Sequence, residues 1–457
     1  MTGGERLYAR APIWLQTLMV TAYGVKLAAI RRGRRYWRWT RFLEESAAWP
    51  RERLEAYQAE RLREFLAFVS KNSPFYRDRL AGIDVRGVRD LTRLPVTDKE
   101  TFRVNLSRIR TTDRGVKVHT GGTTGKPLEV VFFGRDLQER FATLDAWRAT
   151  HGATRLGRRA TFSGRIVVPP GQDGHRSLAR TNLILRQRLY SCFHLANQNL
   201  DAYVRDLERF QPETIDGFPS AIAAVAGHIV ASGRTTAVRP RAVFSTSENL
   251  YGFQRDIIRT AFRCEARNQY ASAEGAPFVV ECRKGQLHYD LRTGVIEPGE
   301  GSVLVTSFTT HGTPLVRYRI GDQIDLTPGA CDCGNENPVV RAIAGREQDY
   351  IVSPERGMVG VGLIDIFKKI PPVVKQAQIE QVEARTLVVR LVPDRAGFAE
   401  EHLQVLREGL AERVGPGMEL QFALVDRIEP EAGGKVLYLK RHPGIEWRSP
   451  AGPARPQ

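Results

Sequence analysis

Between Arg51 and Leu80 the run RERLEAYQAERLREFLAFVSKNSPFYRDRL repeats apolar residues at helical spacing and is interrupted at Ser73-Pro74, which predicts helix, break, helix. From roughly Val116 to Ile343 the period changes. Short β-rich runs such as LEVVF, AVFST and GSVLVTSF alternate with helical stretches such as LDAYVRDLERF and SAIAAVAGHIVAS, the alternation of a large α/β unit with mixed sheets. Past AGREQDYI the pattern becomes a smaller α+β one: LIDIFKKI reads as helix, TLVVRLV as strand, EEHLQVLREGLAERV as helix and LQFALVD as strand. The expected organisation is a helical region over 1–75, a large core over 76–345, a small domain over 346–445 and a Pro-rich, disordered tail over 446–457. No internal repeat is visible.

The N-terminal pattern is different again. Pro12 to Ile30 is about long enough to cross a bilayer but contains Gln16 and Lys26. RRGRRYWRWTR follows, six arginines mixed with Tyr36, Trp37 and Trp39, a composition suited to lipid headgroups. Residues 12–41 therefore predict a helix lying in an anionic membrane surface rather than a span; a helix packed on its own domain fits the pattern equally.

Length and charge narrow the classes. A chain of 457 residues is too long for one ordinary domain, and 68 Lys+Arg against 51 Asp+Glu give a net charge of +17. That balance favours anionic partners (nucleotides, thioester carriers, anionic lipid, nucleic acid), with a solvated basic surface as the plain alternative. No nucleic-acid module is recognisable, so nucleic acid is not an expected partner. Five unevenly placed cysteines make no disulfide framework and no secretory signal is evident, which predicts a cytoplasmic protein, peripheral on the inner face of the membrane if residues 12–41 dock there. Oligomeric state is left open.

The chemistry begins at VKVHTGGTTGKPLEV, Val116 to Val130. Val116, Val118 and Thr120 alternate before the glycines and Leu128, Val130 and Phe132 after them, so the glycine-threonine run is the tip of a β-hairpin. It is not a Walker loop, which needs Gly and Ser/Thr where this chain has Thr120 and Pro127. Gly121, Gly122 and Gly125 allow close backbone approach, Thr120, Thr123 and Thr124 add hydroxyls, and Lys126 adds charge. These groups suit the oxygens of a polyphosphate, although a lone glycine-rich hairpin is more often just a turn.

The loop resembles the phosphate loop of the adenylate-forming superfamily, and four more runs follow in that superfamily's order. NQYASAEGA resembles its Tyr-Gly-x-Thr/Ser-Glu motif, RYRIGD its Tyr-Arg-Thr-Gly-Asp motif, AGREQDYI its Gly-Arg-x-x-Asp hinge, and GGKVLYLKR its C-terminal lysine motif. NSPFYRDRL, DGFPSAI and the paired cysteines before the hinge resemble the phenylacetate-CoA ligase branch, in particular its CapK-type members associated with capsular-polysaccharide biosynthesis. The resemblance covers nearly the whole chain.

It implies a large adenylate-forming (AMP-binding) domain, a small mobile C-terminal domain, and a ligase that uses ATP to activate a carboxylic acid as an acyl-adenylate before transfer to coenzyme A. Transfer to an amine or a carrier-protein thiol, or a degenerate nucleotide-binding scaffold, are the alternatives. Thr120 to Lys126 would hold the β- and γ-phosphates, Glu274 would bind Mg²⁺, Tyr270 would stack on adenine and Asp322 would accept both ribose hydroxyls. Glu248, in STSENL, would border the nucleotide. Lys435, with Glu274 and Arg346, would serve catalysis. Taken singly, Tyr270 reads as a core aromatic and the carboxylates as surface groups; their order carries the assignment. Ala271, Ala273 and Gln348 depart from the usual Gly, Thr/Ser and Asp, and loss of the hydroxyl at Ala273 removes a phosphate contact.

ECRKGQLH places Cys282 and His288 on a β-hairpin, and CDCG adds Cys331 and Cys333. Two thiolate pairs or a Cys3His set suit a closed, structural zinc. Cys-x-Cys is tighter than the common Cys-x-x-Cys; the resemblance to zinc-containing relatives strengthens the zinc expectation.

Overall fold

The computed structural model describes residues 3–119, 128–169, 178–195, 197–247, 250, 252–299, 302–326, 328–345, 351–359, 363, 366–367, 369–370, 373–393, 397–426, 428, 439–442 and 445. Helices α1 (Gly3–Arg10), α2 (Ile13–Arg31) and α3 (Arg34–Glu45) lead into α4 (Arg51–Asn72) and α5 (Pro74–Leu80). The predicted break falls between the last two. Ser73 caps α5 by accepting from the Tyr76 N–H at 3.4 Å, and Pro74 occupies the first helical position, where a missing N–H costs nothing. Two short helices follow, α6 (Lys99–Val104) and α7 (Leu106–Ile109).

The predicted hairpin is formed by β1 (Val116–His119) and β2 (Glu129–Phe132), paired antiparallel with Val116 opposite Phe132. Its tip lies outside the described residues. α8 (Gly134–Thr150) runs on from β2. A six-stranded sheet follows, built from β3 (Arg159–Ser163), β4 (Ala179–Asn182), β5 (Gln187–Ser191), β6 (Thr214–Gly217), β7 (Ala242–Ser245) and β8 (Ala266–Arg267), in the order β4-β5-β3-β6-β7-β8. β5, β3, β6, β7 and β8 are parallel, and β4 is an antiparallel edge. Parallel strands need covered faces. One face packs on α9 (Asn197–Phe210), α10 (Pro219–Ala231) and α11 (Gly252–Phe262), with Phe162, Tyr203, Ile215, Ile222 and Ile258 buried between. The other face is covered by α8 and α2, where Trp147 meets Phe244 at 5.1 Å and Val20 packs on Val167, Val168 and Leu189. α2 comes so close to β4 that a Cβ at Gly24 would run into the Asn182 side chain.

A second group of strands carries the other half of the large unit. β9 (Gln269–Tyr270), β10 (Val279–Glu281), β11 (Leu287–Tyr289) and β16 (Val339–Val340) form an antiparallel sheet. β12 (Gly294–Glu297), β13 (Leu304–Ser307) and β14 (Tyr318–Arg319) form another, and β15 (Gln323–Asp325) pairs with β17 (Ala342–Gly345). All of these share one core with α4 and β2, through residues such as Leu62, Phe65, Val69, Phe132, Val279, Phe308 and Tyr318.

After β18 (Ile351–Ser353) and β19 (Gly357–Val359), β20 (Val374–Glu383) and β21 (Thr386–Pro393) make a hairpin covered by α12 (Glu400–Val414). β22 (Glu419–Leu424) and β23 (Leu439–Arg441) complete the sheet in the order β22-β21-β20-β23. This C-terminal unit has its own core, including Ile379, Leu387, Val389, Leu406 and Leu410. The segment expected as helix in LIDIFKKI is only partly among the described residues.

The arginine-aromatic run is only partly free to meet lipid. Tyr36 and Trp39 are buried against α8: the Tyr36 hydroxyl donates to Asp145 at 2.9 Å and the Trp39 indole N–H donates to Thr143 at 2.9 Å. Arg35 pairs with Glu139 and Arg32 with Asp145. α2 instead leaves Trp14, Leu18, Tyr23 and Val25 exposed, beside the exposed Leu183-Ile184 turn that follows β4.

Candidate active site and Cys3His cluster

In sheets of this topology ligands lie beyond the carboxyl ends of the parallel strands. The loops leaving those ends carry the motif residues. At the end of β7, Ser245 Oγ donates to the Arg267 carbonyl at 3.1 Å, and just past it Thr246 Oγ1 accepts from Gln269 at 3.2 Å, which ties the β7 exit to β8 and β9. Tyr270 ends β9, and its hydroxyl donates to Asp322 Oδ2 at 2.8 Å. A carboxylate has about four acceptor positions and so can accept from more than one hydroxyl at once.

Glu274 sits in the turn after Tyr270 and is 8% exposed. The turn is strained: Ser272 has φ +34° and Gly275 φ +101°, the latter in a region that favours glycine. A Cβ at Gly275 would approach the Phe132 ring and Thr310 within 3 Å, so the Glu274 turn rests directly on β2, the strand leaving the glycine-threonine loop. Arg140 on α8 fixes the turn from beneath. Its guanidinium donates to the carbonyls of Ala271 (2.6 Å), Gly275 (2.9 Å) and Ala276 (3.0 Å) and to Thr309 Oγ1 (3.1 Å), and lies over the Phe278 ring. Burial pushes its pKa down to about 10, against the pull of Asp136 and Tyr270. Sequence reasoning missed Arg140, because an arginine on a helix reads as solvated surface until the loop it holds is known.

Three expected site residues, Tyr270, Glu274 and Asp322, thus fall within one structural neighbourhood with the hairpin. Thr120 to Lys126, Glu248, Arg346 and Lys435 lie outside the described residues.

The four metal-ligand candidates converge. Cys282, His288, Cys331 and Cys333 bring their donor atoms within 4.8 Å of one another, with Cys282 Sγ to Cys331 Sγ at 3.8 Å and Cys333 Sγ to His288 Nε2 at 3.4 Å. Tetrahedral zinc with its usual bond lengths sets S···S edges of about 3.8 Å and S···N edges of about 3.6 Å. The donor set fits zinc. His288 Nδ1 donates to the Asn337 carbonyl at 2.9 Å, which leaves Nε2 as the lone-pair nitrogen facing the sulfurs. Burial lowers the His288 pKa, favouring the neutral imidazole a metal requires, and burial with the neighbouring sulfurs pushes the Cys333 thiol up to about 12. The β10–β11 hairpin supplies the first two ligands, as expected, and the 331–333 segment folds back to supply the others.

In solved structures of 2-hydroxyisobutyryl-CoA ligase the same fold recurs. The thioesterification-state complex with 2-HIB-AMP and CoA superposes with a TM-score of 0.55 at 17% identity, covering 87% of this chain and 92% of that one. The post-adenylation state gives 0.54 at 16%, covering 88% and 92%. This is the adenylate-forming fold. Residues 351–442 match the CapK C-terminal domain. Protein CapK of Staphylococcus aureus is 32% identical over 452 residues, covering 94% of this chain and 98% of that protein. Phenylacetate-coenzyme A ligase of Thermus thermophilus is 26% identical over 441 residues, covering 85% and 96%. The chain belongs to the CapK family of the adenylate-forming superfamily, on its phenylacetate-CoA ligase-like branch.

Proposed function

We propose that this chain activates a carboxylic acid with ATP, releasing pyrophosphate and forming an acyl-adenylate, and then transfers the acyl group to the thiol of coenzyme A. The observation that carries the reading is the Tyr270–Asp322 hydrogen bond beside the braced Glu274 turn: an aromatic face, a carboxylate for ribose hydroxyls and a second carboxylate, all held against the strand that leaves the glycine-threonine loop. Joining a carboxylate to a phosphate brings two anions together, so the protein's task is positioning and charge neutralisation. Thr120 to Lys126 would supply backbone and hydroxyl donors to the β- and γ-phosphates, and Lys435, with Arg346, the cations nearest the reacting oxygens. Glu274 offers a hard oxygen suited to Mg²⁺, which when bound neutralises phosphate charge. Asp322 would orient the ribose and Tyr270 the adenine, with Glu248 at its border.

Ala273 supports a second reading. Without a hydroxyl there, the site has one phosphate donor fewer, and a scaffold that binds nucleotide without turning it over fits that loss. A pyrophosphate-release assay over a panel of carboxylic acids, with and without coenzyme A or amine acceptors, decides between them. Turnover with any acid supports the ligase; nucleotide binding without pyrophosphate release supports the scaffold.

Two further assignments belong to this proposal. The Cys3His cluster holds one structural zinc, supported by the convergence of its four donor atoms and by two donor–donor distances close to tetrahedral edges. The outer face of α2 and the Leu183-Ile184 turn dock on an anionic bilayer, supported by their exposed apolar side chains and the basic residues Lys26 and Arg186 among them.

A further inference from the structure

Between α2, α8 and the face of the six-stranded sheet the chain gathers five guanidiniums around two carboxylates. Arg148 on α8 donates to Asp216 Oδ2 on β6 at 3.0 Å and stands 3.8 Å from Asp145. Arg159 on β3 stands 3.9 Å from Asp216, and Arg32, just past α2, lies 3.4 Å from Asp145. Arg31, the last residue of α2, lies over the Phe141 ring at 4.0 Å, close enough to Arg159 and Arg165 to feel both charges.

The carboxylates are already heavily engaged. Tyr36 donates to Asp145 at 2.9 Å, and Thr161 donates to Asp216 at 2.5 Å. Among the described residues of this cluster, five positive charges against two negative leave a surplus of three, and of the five only Arg165 is exposed to solvent. The Nε atoms of Arg148 and Arg159 are buried without a hydrogen-bond partner. Burial and the Arg165 charge push the Arg31 pKa down to about 10, and burial lowers that of Arg148. Surplus cations crowded out of water are costly unless an anion joins them.

One edge of the cluster, at Arg165, reaches the surface a substrate would use. Asp216 immediately precedes Gly217, the last residue of β6, which pairs with Ser245 of β7; that residue bonds to the Arg267 carbonyl, three residues before Tyr270. Arg165 follows the end of β3 by two residues and is exposed. Arg165 therefore sets the open edge of the cluster on the carboxyl-end rim that carries the candidate nucleotide site, while Arg159, the first residue of β3, and Arg148, in the last turn of α8, lie deeper along the sheet face.

We propose that this arginine cluster binds a second anionic group of the substrate, so that the acid this chain activates carries a further carboxylate or phosphate besides the carboxylate that is adenylated. The substrate class rests on the ligase reading; the anion site does not. A planar guanidinium fork suits either oxyanion.

The test has two arms. In the first, thermal shift is measured with inorganic phosphate and with succinate, against sodium chloride at matched ionic strength, for the wild type and for Arg159→Gln/Arg165→Gln. Preferential binding to the folded state raises the melting temperature. The wild type should gain several degrees more than chloride gives, and the double variant should lose most of that gain. In the second arm, pyrophosphate release is compared for butyrate, succinate and 3-phosphoglycerate. Either acid with a second anionic group should exceed butyrate at least tenfold in kcat/KM, the better of the two identifying that group as carboxylate or phosphate, and the double variant should narrow the gap.

Equal stabilisation of wild type and variant, or none, overturns the anion site. Butyrate turned over as well as the acids with a second anionic group overturns the substrate class while the ligase reading stands. An arginine-dependent shift with no pyrophosphate from any acid supports the anion site and counts against the ligase.

Discussion

Arg140 shows how much of a site can rest on one side chain remote from the chemistry. It donates to three carbonyls of the turn that carries Glu274, and no carboxylate pairs with it at bonding distance in the contacts described. Arg140→Ala should lower stability by about 3 kcal/mol or more, because buried acceptors lose their donors. Arg140→Lys is more informative, since it keeps the charge but not the planar fork. If the turn positions Glu274 for Mg²⁺, this variant should need several-fold more Mg²⁺ for half-maximal pyrophosphate release; an unchanged Mg²⁺ dependence in a folded protein would reject the positioning role. Lys435 gives a prediction of another kind. A cation that acts only at adenylation should, as Lys435→Ala, reduce acyl-AMP formation on the order of a hundred-fold or more. The same variant given preformed acyl-adenylate and coenzyme A should form thioester near the wild-type rate. Loss of both half-reactions alike, or of neither, would remove Lys435 from the mechanism. Tyr270, Glu274 and Asp322 stand out as candidates in the sequence because short motifs keep their order along the chain, and the structure brings Tyr270 and Asp322 into contact. Arg140 and the arginines around Asp216 were not, since each is one arginine among many in a basic chain, and only the fold shows what lies opposite.

Elements with a strong local signal match their expected positions, and the reasons are physical. The break at Ser73-Pro74, the hairpin around the glycine-threonine loop and α12 each rest on capping, alternation or helical periodicity. β4 as an antiparallel edge and β16 as a partner for β11 had no comparable signal, because they are short and their pairing is set by tertiary contacts. The Cys3His cluster lies between these cases. The β10–β11 hairpin was readable, but the return of the 331–333 segment to it depends on β16 joining the same sheet. A zinc there would pin that return, tying β11 to the segment that leads through β17 toward the C-terminal unit. Purified protein should carry about one equivalent of zinc. Cys331→Ser should lower both zinc content and melting temperature, and chelation should mimic it in the wild type but add little in the variant. Zinc-free protein whose melting is indifferent to Cys331→Ser would reject the assignment.

At the scale of the whole molecule, the fold decides how the chain would meet a membrane. α2 is long and apolar enough to cross a bilayer, with a mean hydropathy of 1.4, yet only 17% of that window is buried. Its inner face is committed: Arg180 donates to Gln16 at 2.5 Å, Thr21 accepts from the Leu183 N–H, and Gly24 meets Asn182. Drawing α2 into a span would leave the buried Arg180 without that acceptor and uncover the sheet face. The geometry favours a helix that stays on its domain and offers Trp14, Leu18 and Val25, with Leu183 and Ile184, to the interface. Deleting the segment would therefore be a poor test, because it would damage the fold along with the surface. Trp14→Glu/Leu18→Glu changes only exposed positions and should leave the melting temperature within a degree or two. Each lost apolar insertion is worth about 1.5–3 kcal/mol when fully buried, so affinity for vesicles rich in phosphatidylglycerol should fall at least tenfold. Basic residues near an anionic surface add about 1 kcal/mol each, a contribution screened over roughly 8 Å at physiological ionic strength, so wild-type binding should weaken as salt is raised. Ile184→Glu, outside the N-terminal helices altogether, should weaken binding too. That variant separates a composite surface from a simple N-terminal anchor: wild-type affinity for Ile184→Glu beside a weakened Trp14→Glu/Leu18→Glu would confine docking to α2, and equal binding by all three proteins, or by none, would reject membrane docking.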